Sequence, residues 1–250
     1  MPLLLVSVAG WSLLLAGPSH SMVLPAFCGA PSSRAWATVW PGAGSVLLLN
    51  PPTQSVLAWL LMLAAMMPPL LARPVEHLWY GGVAKRRARA VGLFIVAYVA
   101  VWTLAGVVLM ASAAAIEVLG SAAGIPALAA TGFVAFIWQT TPLKQASLNL
   151  CHRPPRISPS GVAADRDSLQ YGVSSALACV GACWALMLVP LVVHRLDCLT
   201  MAIIAAILLL ERQAEARPAR WRLPLVEPIR AAARTRAAKQ SGFFLEEEQS

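Results

Sequence analysis

Apolar residues along this chain come in long unbroken runs, and polar residues gather between the runs rather than alternating within them. The clearest run, "VGLFIVAYVAVWTLAGVVLMASAAAI" (Val91 to Ile116), exceeds the ~20 residues a helix needs to cross a bilayer core. Further apolar segments cover Leu3 to Gly17, Thr53 to Leu71, Pro126 to Thr141, Tyr171 to Val193 and Leu196 to Leu210, with the long run narrowed to Gly92 to Ile116. Only helices and closed barrels satisfy every backbone group inside lipid. Continuous runs without a period of two exclude a barrel. The pattern therefore predicts an all-α fold, a polytopic transmembrane helix bundle of about six spans. No internal repeat or inverted pair of halves is visible.

Punctuation between the runs gives the organisation. The segment 18–52 is rich in Pro, Gly and Ser and reads as an irregular cap. Pro68-Pro69 would kink or end the second run, and "CHRPPRISPSG" (Cys151 to Gly161) cannot continue as helix. Three parts follow. Residues 1–52 hold a first span or signal anchor and the non-cytoplasmic cap, residues 53–211 form the transmembrane domain, and residues 212–250 form a basic, flexible tail. The first run lacks the basic start of a signal peptide, although Pro18 follows Ala16-Gly17 where a cleavage site would fall. A signal anchor is favoured over a cleaved signal, and both readings stay open.

Composition agrees with the pattern. The 250 residues are 58% hydrophobic and 12% charged, where a soluble domain carries about 25% charged residues. The formal net charge of +8 raises the question of nucleic acid, but its distribution answers otherwise. All but Arg34 and Arg195 of the 19 Lys and Arg residues fall in segments 72–90 and 142–170 or after the last run. Six spans with both termini in the cytoplasm reproduce that asymmetry, as the positive-inside rule requires. The basic residues thus set topology against a lipid bilayer, and nucleic acid is not a partner. Trp36, Trp40, Trp79 and Tyr80 suit the aromatic belt at the membrane interface.

Candidate chemistry rests on soft side chains. Cys179, Cys183 and Met187 stand at i, i+4 and i+8 in "ACVGACWALM", so a helix projects all three from one face. Counting from Tyr171, Cys179 lies about 12 Å deep and Cys183 near the bilayer middle. Met62 and Met66, with Met67 adjacent, reach similar depth in a span running the other way. Thiolate and thioether donors favour Cu(I) over harder ions. Zinc usually takes four N or S ligands, and hard cations need several carboxylates, which the spans lack. Cys151 and His152 would offer a capture point at the cytoplasmic rim. The alternative is plain packing, because buried cysteine behaves as a small hydrophobe and methionine fills gaps. Spacing alone favours packing over metal.

Other chemistry is thin. There is no Gly-x-Ser-x-Gly elbow, His-Glu-x-x-His helix, Walker loop or Gly-x-Gly-x-x-Gly turn, so the chain does not read as an enzyme. His194 and Asp197 suit a turn between helices, and Asp165 and Asp167 would balance charge in a basic loop. Cys28 and Cys198 are a weak candidate disulfide on the non-cytoplasmic side.

Three blocks together carry a resemblance: "WLLMLAAMMPPLL" (Trp59 to Leu71), "WQTTPLKQASLNLCHRPP" (Trp138 to Pro155), and "CVGACWALMLV" through "LLLER" (Cys179 to Arg212). In order and spacing they resemble the predicted metal-binding integral membrane protein family of bacteria, some of whose members are described as copper chaperones. The resemblance implies a multi-pass protein of the bacterial inner membrane, with copper(I) as its cargo and a copper enzyme or soluble copper-binding protein as its client. Cys151, Cys179 and Cys183 match soft positions of that family. Ser147 and Ala182 stand where relatives usually carry further thiols. On this reading Cys151 captures copper with help from His152, while Cys179, Cys183, Met66 and Met187 hold it in the bundle. The rival is a metal-free structural or accessory subunit of a membrane transporter or assembly complex, which the Ser147 and Ala182 departures favour.

Overall fold

The computed structural model describes residues 2–16, 52–158, 160–192, 197–213 and 218–221. Among these residues the regular structure is helical and there is no strand. In chain order the helices are α1 (Pro2–Ala16), α2 (Pro52–Met66), α3 (Ala72–Gly81), α4 (Arg87–Ala123), α5 (Ala127–Thr140), α6 (Pro142–Cys151), α7 (Gly161–Val192) and α8 (Asp197–Gln213). Short 3₁₀ turns at Pro68–Leu71 and Ala84–Arg86 join α2 to α3 and α3 to α4. A helix covers each of the apolar runs expected from the sequence. Two stretches, Ala84–Ala123 and Gly161–Val192, are helical, long and apolar enough to cross a membrane, and Leu3–Leu15 and Ala127–Thr140 are shorter apolar helices. The expected cap, most of the tail, Cys28, His194 and the side chains of Asp197 and Cys198 lie outside the described residues.

The segments expected to be loops are largely helical, for local reasons. Pro68-Pro69 do not release the chain, because the Met67 carbonyl accepts the Leu70 and Leu71 amides at 2.9 and 3.3 Å. That tight turn feeds straight into α3, whose Pro74 and Leu78 are buried. α6 begins where Thr141 accepts the Lys144 amide at 3.3 Å, with Pro142 in the first turn. A hydroxyl cap followed by proline is a strong helix start. α7 begins ten residues before the apolar run, at Gly161. Its first turns are held by ion pairs from Asp165 to Arg86 (2.7 Å) and Arg89 (2.8 Å). Asp165 and Asp167 therefore belong to a helix rather than a loop, and Asp165 balances basic charge as expected. Ser158 holds the Asp167 carboxyl below the usual carboxylate range, first through its side chain and then through its amide, which donates to Asp167 at 2.9 Å.

α4 and α7 pack along their length and form the centre of the bundle. Small residues let them close. Between α4 and α7 a Cβ on Gly172 would lie 2.5 Å from the Phe94 carbonyl oxygen, and between α4 and α2 one on Gly106 would lie 2.4 Å from the Trp59 ring. Glycine at such points lets helix backbones approach closely. Trp59 then donates its indole N–H to the Trp102 carbonyl at 3.0 Å. The opposite side of α4 stays bare. Trp102 is 0% exposed, whereas Leu104, Val107 and Val108 are 71, 63 and 64% exposed.

Candidate metal centre

On α7, Cys179, Cys183 and Met187 are all buried and share the face turned into the core. The Cys183 thiol donates to the Cys179 carbonyl at 3.0 Å, which uses the i, i+4 spacing noted in the sequence. The two thiols are within electrostatic reach of each other. Between them Gly181 opens a notch. Its carbonyl accepts the Trp138 indole N–H at 2.9 Å, and a Cβ there would stand 2.6 Å from the Ser147 hydroxyl. Ser147 on α6 and Trp138 on α5 are therefore both seated against the segment that carries the thiols.

α4 supplies the facing stripe. Phe94, Tyr98 and Trp102 follow one another at i, i+4 and i+8, with ring centroids 6.1 and 6.4 Å apart. Tyr98 is the polar member of this row. Its hydroxyl donates to the Met67 sulfur at 3.7 Å and lies beside the Cys179 thiol. Met67 comes from the turn after α2 and is 2% exposed. Met66 and Met187, the methionines favoured from the sequence, are buried in the same core. A phenol, a thioether and two thiols thus meet in one dry region.

A charged rim closes the neighbouring end. Lys144, 4% exposed, forms an ion pair with Glu211 at the end of α8. Burial pulls the Lys144 ammonium below its usual range, against the opposing pull of Glu211. Cys151, half-buried at the end of α6, lies within electrostatic reach of the Arg212 guanidinium. Burial pushes its thiol up to about 11 although Arg212 acts the other way. Burial lowers the His152 imidazole, and Arg212 and Arg73 lower it further. A neutral imidazole can serve as a metal ligand.

Cys151, His152, Cys179 and Cys183 do not gather at one metal-sized point. Among the described residues, no three His, Cys, Asp or Glu side chains converge on a metal-sized site. The thiols of α7 form one group, and Cys151 with His152 forms a second at the rim, within electrostatic reach of the first. What the arrangement supplies is soft sulfur in a buried core, the donor chemistry suited to Cu(I). Sequence reasoning passed over Tyr98, Lys144 and Arg212. Tyr98 carried a signal, being the lone tyrosine in the longest apolar run. Lys144 and Arg212 were visible only as topology charges.

Neither the curated proteins nor the solved structures contain a match to this chain. A family model described as a copper chaperone, PpoB2, matches residues 56–232. That span takes in both sulfur groups, the aromatic stripe and the charged rim, and it omits α1. The chain belongs to this copper chaperone family.

Proposed function

We propose that the chain is a multi-pass protein of the bacterial inner membrane that binds Cu(I) and hands it to a client, a copper enzyme or a soluble copper-binding protein. Cys151 and His152 take the ion at the cytoplasmic rim, and Cys179 and Cys183, with Met66 and Met187 in the same core, hold it inside the bundle. The observation that carries this reading is the buried thiol pair on the central helix of a copper chaperone family member. Transfer proceeds by exchange of one sulfur ligand for another, so it needs no hydrolytic motor and no catalytic residue.

Membrane placement has its own support. The bare apolar side of α4 is the kind of surface a soluble monomer rarely exposes over more than a few hundred Å². Six spans with both termini in the cytoplasm put the Arg86–Asp165 pair, Lys144 and Arg212 on the positively charged side. Residues 1–52 then form an N-terminal span or anchor with its outer cap, 53–211 the metal-handling domain, and 212–250 the cytoplasmic tail.

The test is anaerobic loading of the purified protein with Cu(I), followed by measurement of copper per chain beside Cys179→Ala/Cys183→Ala. Copper is expected in the parent and lost from the double variant. Equal copper content in the two would overturn the site.

A metal-free scaffold is the rival, and one observation favours it. Ser147 presents a hydroxyl, not a soft donor, against Gly181 on the helix that carries the thiols. A stable partner co-purifying from copper-depleted membranes, with no copper taken up by the parent, would select this second reading.

A further inference from the structure

The two thiols of α7 lack a third partner of the usual kind, since no third His, Cys, Asp or Glu joins them among the described residues. Two-coordinate copper between residues one helical turn apart would be strained toward one side, and the open side faces α4 and the turn after α2. Tyr98 connects that side to a thioether: it interacts with Cys179, and its hydroxyl donates to the Met67 sulfur at 3.7 Å. The Met67 backbone is fixed as well. The Met67 amide closes the last turn of α2 on the Leu63 carbonyl at 2.9 Å, and its carbonyl accepts from Leu70 and Leu71 across Pro68-Pro69. Methionine has three rotatable side-chain bonds, so a thioether pinned at both ends is more ordered than one that merely fills a gap.

We infer that Met67 is the third Cu(I) ligand, completing a three-sulfur site with Cys179 and Cys183, and that Tyr98 is its positioning residue. This rests on the Cu(I) reading above and narrows it, because Met67 and not Met66 or Met187 then binds the ion, while those two methionines line the core around it. The chemistry balances without a redox step. Each thiol loses its proton to solvent as its sulfur binds, the thioether donates a lone pair and releases nothing, and copper stays Cu(I). Two thiolates and one Cu(I) leave a single negative charge on the site. Lys144 and Arg212, whose charges reach Cys183 and Cys179 respectively, offset it.

The test uses the full chain in detergent, loaded anaerobically with Cu(I) acetonitrile complex. Affinity is read by competition with a chromogenic Cu(I) chelator and coordination by copper X-ray absorption. Met67→Leu conserves volume and is well tolerated in cores. It is expected to keep one copper per chain, drop from three sulfur neighbours to two, and lose affinity about tenfold or more. Met201→Leu, a buried methionine of α8, is expected to match the parent. Selenomethionine labelling gives a readout independent of fold stability: a copper–selenium scattering path is expected in the parent and in Met201→Leu, and is absent in Met67→Leu. Copper bound through the thiols with an unchanged selenium path in Met67→Leu would overturn the assignment of Met67 and leave the copper reading standing. No copper uptake by the parent would overturn both.

Discussion

Cys151 and the α7 pair stand in different surroundings. Its thiol titrates near pH 11 because burial outweighs the Arg212 guanidinium, so at neutral pH it is almost wholly protonated. The thiolate is the reactive form. Alkylation of Cys151 is therefore expected to be slow at pH 7 and to speed up by about tenfold per pH unit until the pH nears its titration point. Arg212→Gln removes the charge that favours the thiolate, which raises the titration point further and slows alkylation at every pH below it. Peptide-resolved mass spectrometry with a haloacetamide measures both. A rate indifferent to Arg212 would show that the guanidinium does not act on the thiol. His152 moves the other way: its neutral form extends to lower pH than for a free imidazole, so its capacity to bind metal is present across the neutral range.

Between helices, packing depends on places where a side chain is missing. Gly172→Ala would drive a methyl group into the Phe94 carbonyl, 2.5 Å away, where backbone cannot give. A loss of about 1–3 kcal/mol is expected, as for other overpacked interiors. Gly92→Ala in α4 meets nothing within 4 Å and is expected to be neutral or to stabilise by up to about 1 kcal/mol, since alanine is the better helix former. Denaturant unfolding in detergent separates the two, and equal stabilities would mean α4 and α7 do not approach as closely as described. This is also the scale at which the sequence was least legible. The apolar runs marked where helices lie, but α3, α6 and the first turns of α7 were read as loops. Their signals are polar and local: the Thr141 cap before Pro142, the turn across Pro68-Pro69, and Asp165 reaching two arginines about eighty positions earlier in the chain. Hydrophobic periodicity is blind to all of these. The i, i+4 relation of the two cysteines was legible because one helix contains both. Tyr98 and Met67 were not, because they come from other elements and only the tertiary fold brings them to the thiols.

For the molecule as a whole, the asymmetry of basic residues makes a topological prediction. Alkaline phosphatase fused after Gly124 is expected to be active, and fused after Ser160 inactive, because the six-span arrangement puts the first position outside and the second in the cytoplasm. The reverse pattern would invert the protein and place Cys151 on the wrong side to receive cytoplasmic copper. The notch at Gly181 has a consequence at this scale too. It accommodates whatever small atom residue 147 carries, and it does so by shape alone. Oxygen and the somewhat larger sulfur would both seat there against bare backbone, with Trp138 still bonded to the Gly181 carbonyl. Residue 147 can therefore exchange hydroxyl for thiol without renegotiating how the helices meet.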